Sequence, residues 1–460
     1  MSDYFVVSLS NKSIPIFPIQ TSEFKAWLKK QSEAVRSWVQ ANKFVANSAD
    51  FCLVPNQKTG ALGTVLLGTH DADDFWAFAA LPKKLPAGQY RPELKGSPEQ
   101  LERVAIAWGL GSYAFTKYKT SEPVTAKLSI PGGCDVNYIE NIVKAINFGR
   151  DLINTPNHDF GPEELSRVAR DLAKKHKAKV VEIIGEQLCG KNFPAVYAVG
   201  KGSKRQPRLI EINWKQNKRF PNITLIGKGV CFDSGGWNLK PPPFMRHMKE
   251  DMAGAAYVLT LARVIMELKL PVNLQVIIPA IENLLADVSY KPGDIVTMRN
   301  GKKVEIHDTD AEGRLILADA LVYACEEKTD LVLDFASLTG SARVALGTEI
   351  NAMFTNDDKL AVDLSALASE EHDQLWRLPM YEPYWETLHS NIADFCNCSD
   401  VRYGGSITAA LFLKRFVKKD VKWVHFDIAA WNYKTRPGHP EGGAVYCIPT
   451  LFRLIKELKK

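Results

Sequence analysis

The apolar positions of this chain fall into two stretches of different rhythm. In the first ~135 residues they form short β-rich runs, Asp50-Phe51-Cys52-Leu53-Val54, Thr64-Val65-Leu66-Leu67 and Phe75-Trp76-Ala77-Phe78, with a helical pattern between Pro98 and Lys119 that carries Leu101 to Trp108. Pro131-Gly132-Gly133 punctuates the chain, and Tyr138 to Ile153 then reads as an amphipathic helix ending before Asn154-Thr155-Pro156. Beyond it the segments alternate. A helix from Glu163 to Lys177 is followed by strands at Lys179–Ile183, Leu209–Ile212 and Ile223–Ile226. A helix from about Met248 to Leu268, a strand at Leu274–Ile278, an acidic loop with its own helix, and a strand at Leu331–Phe335 complete the series. Such alternation predicts an α/β protein with a mostly parallel central sheet covered by helices. The expected layout is a smaller N-terminal α/β domain over 1–137, a connecting helix over 138–157 and a larger C-terminal domain over 158–460. In sheets of this kind the chemistry collects in loops at the carboxyl ends of strands.

The length of 460 residues supports two domains, because single cores stop growing near ~250–300 residues. A net charge of +6 with interspersed Lys and Glu gives no argument for nucleic acid. The basic run Lys201 to Arg208 and the terminal Lys456-Glu457-Leu458-Lys459-Lys460 read as solvated faces. The segment Met1-Ser2-Asp3-Tyr4-Phe5 has no secretory pattern, and no apolar stretch approaches the ~20 residues of a membrane span, so a cytoplasmic protein without membrane association is expected. Eight scattered cysteines, without a C-x-x-C pair, read as reduced and mostly core thiols, Cys396-Asn397-Cys398 included.

Chemistry concentrates in His307-Asp308-Thr309-Asp310-Ala311-Glu312-Gly313-Arg314, directly before the apolar run Leu315 to Leu321. A period of two turns Asp308, Asp310, Glu312 and Arg314 to one side of an extended loop. Three acids held together repel one another unless cations sit between them. The loop after Ile226, Gly227-Lys228-Gly229-Val230-Cys231-Phe232-Asp233-Ser234-Gly235-Gly236-Trp237-Asn238-Leu239-Lys240, is rich in glycine but lacks the spacing of a phosphate-binding P-loop. Asp251 lies near the start of the helix that Met248 opens, where an acid also simply complements the helix dipole. Taken singly, Asp251 and Asp233 have structural readings; Lys228 has one as an ion pair with Asp233 or Glu312.

Together these blocks resemble the leucyl aminopeptidase, or cytosol aminopeptidase, family of two-metal exopeptidases. The resemblance rests on Gly227 to Lys240, Met248-Lys249-x-Asp251-Met252 and Thr309 to Leu315. It extends through Arg150 to Pro156, Lys291-Pro292-Gly293-Asp294, Ser337-Leu338-Thr339-Gly340, Gly404 to Ala410 and Asp427-Ile428-Ala429, or about residues 145 to 445. It implies two divalent metal ions, Mn or Zn, bridged by Asp233 and Glu312. Asp310 completes one site, and Lys228 and Asp251 the other. Four carboxylates balance two dications when Lys228 is neutral, which requires lowering a reference pKa of ~10.4. The implied reaction is hydrolysis of the N-terminal residue from peptides by a water shared between the metals. Lys240 is assigned to the oxyanion, and Arg314 to a bicarbonate that serves as general base. Met248, Ser337, Gly340 and Ala429 are implied to line a pocket for Leu- or Met-like side chains. A homohexamer is implied as well.

Three departures stand out. Asp308 replaces the family's usual Asn, Trp237-Asn238 precedes Lys240, and Leu284-Leu285-Ala286-Asp287 follows Glu282-Asn283. The extra acid at 308 is compatible with a raised pKa in a neighbour, with stronger metal binding, or with a pair to Arg314 or His307. The competing readings of the whole chain are a non-catalytic or DNA-binding accessory protein that keeps the fold, and a two-metal hydrolase of another class such as a phosphatase.

Overall fold

The computed structural model describes residues 4–7 and 13–458; residues 1–3, 8–12, and the last two lysines of the C-terminal run lie outside the described residues. The chain divides into two compact units, Met1–Asn147 with Asn432–Glu441, and Phe148–Trp431 with Gly442–Lys460. The division falls inside one helix, Val136–Asn154.

In the first unit β1 (Phe5–Val6), β2 (Ile14–Gln20), β3 (Phe51–Pro55), β4 (Leu62–Thr69), β5 (Gly88–Pro92) and β6 (Ala126–Ser129) form a sheet in the order β1-β6-β5-β2-β4-β3. The run Phe75 to Phe78, expected as a strand, is instead a 3-10 helix over Phe75–Ala80 that buries Ala77, Phe78 and Ala79. A four-residue apolar run fits a buried turn of helix as well as a strand, and periodicity alone does not separate them. The helix expected up to Lys119 stops at Gly111 and spans Pro98–Gly111; Ser97 and Gln100 make a capping box at its start.

The second unit is built on nine strands. They are β7 (Lys179–Ile184), β8 (Arg208–Trp214), β9 (Asn222–Gly227), β10 (Gly229–Asp233), β11 (Asn273–Asn283), and, past the short β12 (Ile295–Thr297) and β13 (Lys303–Glu305), β14 (Leu331–Ala336), β15 (Asn351–Thr355), β16 (Leu375–Arg377) and, after β17 (Phe395–Cys396), β18 (Trp423–Asp427). Their order is β16-β15-β18-β14-β9-β11-β8-β7, with β10 paired to β11. The centre, β18-β14-β9-β11-β10, is parallel throughout. On the flanks β8 runs antiparallel to β11, β7 to β8 and β15 to β18, while the edge strand β16 is parallel to β15. The sheet is therefore parallel at its centre and mixed overall.

Every residue of β14 is buried, as expected of a strand covered on both faces. Val332 and Ala336 pack into the same core as Leu315 to Leu321, whereas Phe335 stacks on Tyr257 of the Ala253–Glu267 helix at 5.7 Å. Asp334 is the polar exception; its carboxylate accepts from Trp423 Nε1 and faces His425 Nδ1, each at 2.5 Å, so the buried charge is paired.

The basic run at 201–208 is less solvated than expected. Arg205 donates to Asn157 O at 2.6 Å and pairs with buried Glu282, and Arg208 pairs with Glu182. At the C-terminus, Lys456 and Glu457 are exposed.

Candidate functional site

The parallel strands end together, and their ends carry most of the candidate residues. Lys228 follows β9, Asp233 closes β10, Ser337 follows β14 and Ala429 comes two residues after β18. Lys228 is buried because the neighbouring backbone closes over it. Its N–H donates to Phe335 O at 3.0 Å and its carbonyl accepts from Ala255 N at 2.9 Å. Only glycine fits at 254, where a Cβ would lie 2.0 Å from Phe335 O and 2.6 Å from Lys228 N. Gly313 plays the same part for the side chain, since a Cβ there would meet Lys228 Nζ at 2.8 Å.

Lys228 Nζ lies 2.9 Å from Asp251 Oδ1 and 2.8 Å from Glu312 Oε1, and it donates to Ser337 O at 3.0 Å. Lys240 Nζ lies 2.8 Å from Asp233 Oδ2 and 2.5 Å from Asp310 Oδ1. The four acids and two lysines thus form one cluster, in which Asp233, Asp251 and Glu312 are buried and Asp310 is half-buried. Asp251 sits in a 3-10 turn, Met248–Met252, ahead of the helix rather than within its first turn. Asp233 terminates a strand that pairs with β11, in a segment expected to be loop throughout.

The cluster carries more negative charge than its lysines neutralise. Burial, followed by the neighbouring Asp233 carboxylate, pushes Asp310 and Glu312 up to about 8. Burial lifts Asp251 to about 6 against the opposing pull of Lys228. Burial opposes charge on both lysines, yet Asp251 and Glu312 hold Lys228 above its ordinary value, and Asp233 and Glu312 do the same for Lys240. Ligand atoms of Asp233, Asp310 and Glu312 lie within 4.8 Å of one another. Asp251 Oδ2, Asp310 Oδ1 and both carboxylate oxygens of Glu312 are buried without a hydrogen-bond partner; the lysine contacts at Glu312 Oε1 and Asp310 Oδ1 are ion pairs without hydrogen-bond geometry. Converging, unsatisfied oxygens of this kind fit hard or borderline divalent cations. Because protons occupy the same groups, cation binding must expel them. Titration of stripped protein with Mn²⁺ at pH 7 in buffers of different ionisation enthalpy is expected to show net proton release and an affinity that rises with pH. An affinity flat with pH would contradict this.

Arg314 is buried, donates from Nη1 to Asn397 O at 2.8 Å, and leaves Nε without a partner in the first turn of the Glu312–Ala324 helix. A free guanidinium donor at a helix N-terminus suits an anion. No ion pair joins Arg314 to Asp308 among the described residues. Asp308 instead accepts from Asp310 N at 2.8 Å, a local turn that shapes the loop, and His307 lies near Glu305 and Asp400. Of the pocket candidates, Ser337 and Ala429 are buried, Met248 is half-buried and Gly340 faces open space. Ser337 Oγ donates to Asp251 Oδ1 at 2.8 Å, and Asp427 accepts from the N–H groups of Leu338 and Thr339, which fixes the loop that leads to Gly340.

Several residues that hold the cluster escaped the sequence reading. Asn283 Nδ2 donates to Asp233 Oδ1 at 2.8 Å and to Thr309 O at 3.0 Å, Tyr290 OH donates to Thr309 O at 2.6 Å, and Asn238 Oδ1 accepts from Thr309 N at 2.9 Å. Their signal is weak, since an asparagine at a strand end is ordinary. Among the described residues no helix is long and apolar enough to cross a membrane.

Residues 147–452 match the cytosol aminopeptidase family, catalytic domain, and residues 14–131 match the M17 aminopeptidase, N-terminal domain. A probable cytosol aminopeptidase of Legionella pneumophila (strain Paris) is 39% identical over 78% of this chain and 75% of its own length. The crystal structure of a cytosol aminopeptidase from Coxiella burnetii superposes with a TM-score of 0.95 at 43% identity, covering 100% of both chains. The bottromycin maturation enzyme BotP in complex with Mn superposes with a TM-score of 0.87 at 31% identity, over 97% of this chain and 99% of that one.

Proposed function

The chain belongs to the cytosol aminopeptidase family, and from that premise we propose that it removes N-terminal residues from peptides with the aid of two divalent cations held by Lys228, Asp233, Asp251, Asp310 and Glu312. The observation that carries the proposal is the convergence of ligand atoms of Asp233, Asp310 and Glu312 within 4.8 Å of one another, with oxygens of Asp310 and Glu312 buried and without a hydrogen-bond partner. Asp233 and Glu312 serve both ions, Asp310 one, and Lys228 and Asp251 the other. Bound there, the cations supply Lewis acidity toward the scissile carbonyl and a water nucleophile at neutral pH. Lys228 serves as a ligand only after losing the proton that Asp251 and Glu312 favour in the metal-free cluster.

The remaining residues have separate tasks. Lys240, largely buried and next to Asp233 and Asp310, places a positive charge beside the oxygen that becomes negative as the carbonyl is attacked. Arg314 Nε and the start of its helix hold an anion, with bicarbonate the implied species and proton acceptance its chemistry. Met248, Ser337, Gly340 and Ala429 line a slot for Leu or Met at the substrate N-terminus, with Met248, Gly340 and Ala429 its apolar wall. The cytosol is the proposed location, after the naming of the relatives, and a homohexamer the proposed assembly, which sedimentation tests.

Hydrolysis of a panel of aminoacyl anilides by metal-stripped protein, with Mn²⁺, Zn²⁺, Co²⁺ or Mg²⁺ restored one at a time, tests the proposal. Activity is expected only after reloading, with Leu and Met derivatives the best substrates. Equal activity before and after stripping would end the two-cation reading, and cleavage of phosphate esters but not anilides would favour another hydrolase class.

A further inference from the structure

Three asparagine side chains from three segments grip the loop 307–314, and one of them approaches from outside the large sheet. β12, β13 and β17 form a separate small sheet in which β17 runs parallel to β13, with Glu305 opposite Cys396. Asn397 follows β17 directly, and its N–H donates to Glu305 O at 2.9 Å. That register sets the Asn397 side chain against residues just past β13. Its Oδ1 accepts from His307 N at 2.8 Å and Asp308 N at 3.2 Å, and its Nδ2 donates to Asp308 O at 2.6 Å and Ala311 O at 3.4 Å. All four hydrogen-bonding positions of the amide are thereby used, and the residue is fully buried. The Asn397 carbonyl also receives Arg314 Nη1.

We infer that Asn397 is a positioning residue for the cation site completed by Asp310, acting through the Asp308 turn. The chain of contacts is direct. Asn397 fixes both backbone groups of Asp308, whose carboxylate accepts from Asp310 N and so sets the direction of the Asp310 side chain. Glu312 depends on this clamp less: the amide reaches only the carbonyl before it, Ala311 O, at 3.4 Å, and Glu312 itself opens a helix that also anchors it. Lys228 and Asp251 lie on other segments altogether. Loss of the Asn397 amide therefore loosens one site and spares its neighbour, a result that general destabilisation does not produce. The bare Cys396-Asn397-Cys398 triplet gives no hint of this, since both cysteines are free and its asparagine acts through the backbone of a loop some ninety residues away.

The inference rests on the two-cation reading, and the test separates the two. Metal-stripped full-length protein is titrated with Mn²⁺ alone by calorimetry. The unaltered protein is expected to take up two ions. In Asn397→Ala one site is expected to weaken by about 10–100-fold, the usual effect of removing a residue that orients a ligand, while the other stays within about twofold. Equal weakening at both sites, or an isotherm like that of the unaltered protein, overturns the assignment, whereas failure of the unaltered protein to bind two ions overturns the two-cation reading instead. If the alanine variant does not fold, Asn397→Asp is read in the same way. It keeps an acceptor toward His307 and Asp308 N–H but loses both donated bonds, and it is expected to show the same one-sided loss.

Discussion

Replacing Glu312 with glutamine is expected to abolish activity, by roughly 10⁴-fold or more, the scale of removing one member of a cooperating catalytic set. Glu312 is buried at the first position of its helix, and neither of its carboxylate oxygens has a hydrogen-bond partner. An acid in that position is costly unless a cation compensates it, and burial with Asp233 close by already pushes its carboxyl up to about 8. Glutamine keeps the volume and removes the charge. Three carboxylates then face two dications, leaving a surplus positive charge in a buried site, so at least one ion is lost and affinity for the other drops. Metal content after dialysis and the Mn²⁺-induced rise in melting temperature read this directly. The variant is expected to lose that rise, because ligand-linked stabilisation vanishes when the ligand no longer binds. Retention of two ions at unaltered affinity would remove Glu312 from the bridging role.

How much of this was legible in the sequence depends on the range of the forces involved. Asp310 and Glu312 stood out because their spacing within one loop is a local property. Lys228, Asp233 and Asp251 each had an adequate structural reading alone, and what brings them together is the register of β9, β10 and β11 with the helix packed on them, a long-range result that single-segment patterns do not encode. The parallel centre of the sheet was predictable from the alternation of helices and strands. The antiparallel pairings on its flanks were not, because β8 and β11 lie about sixty residues apart and pairing direction leaves little mark on hydrophobicity. The 3-10 helix at Phe75–Ala80 shows the same limit at short range. The segment Asn432–Glu441, which joins the first unit from far along the chain, carries no compositional sign of doing so.

The departure at 308 illustrates how a conspicuous residue is misleading. As an acid among acids Asp308 suggested electrostatics, either toward the cations or toward Arg314. Its oxygen instead accepts a backbone N–H two residues on, a task that the family's usual asparagine performs equally well, and Arg314 turns to the carbonyl of Asn397. The quieter asparagines carry the burden of orientation: Asn238 accepts from Thr309 N, Asn283 donates to Asp233 and to Thr309 O, and Asn397 both accepts and donates, so it holds an N–H and a carbonyl of one loop at once, which an acceptor-only carboxylate does not.

Lys240→Met is expected to lower kcat by about 10²–10³-fold, the loss typical of removing one electrostatic donor aimed at a developing oxyanion. KM is expected to change far less, because the charge that Lys240 meets forms only as the carbonyl is attacked. The metal-free cluster complicates the experiment in a useful way. There Lys240 is an ion-pair partner of Asp233 and Asp310, so methionine leaves two acids without their counter-charge and metal-free protein should melt at a lower temperature. Once two dications are present that deficit is compensated, and the loaded variant should melt close to the unaltered protein while remaining slow. Methionine keeps the length of the stem and much of its packing, which isolates the charge. The pattern expected is therefore two ions bound, restored thermal stability and depressed kcat together. Loss of metal in parallel with activity would assign Lys240 to cation retention and leave the oxyanion without this partner.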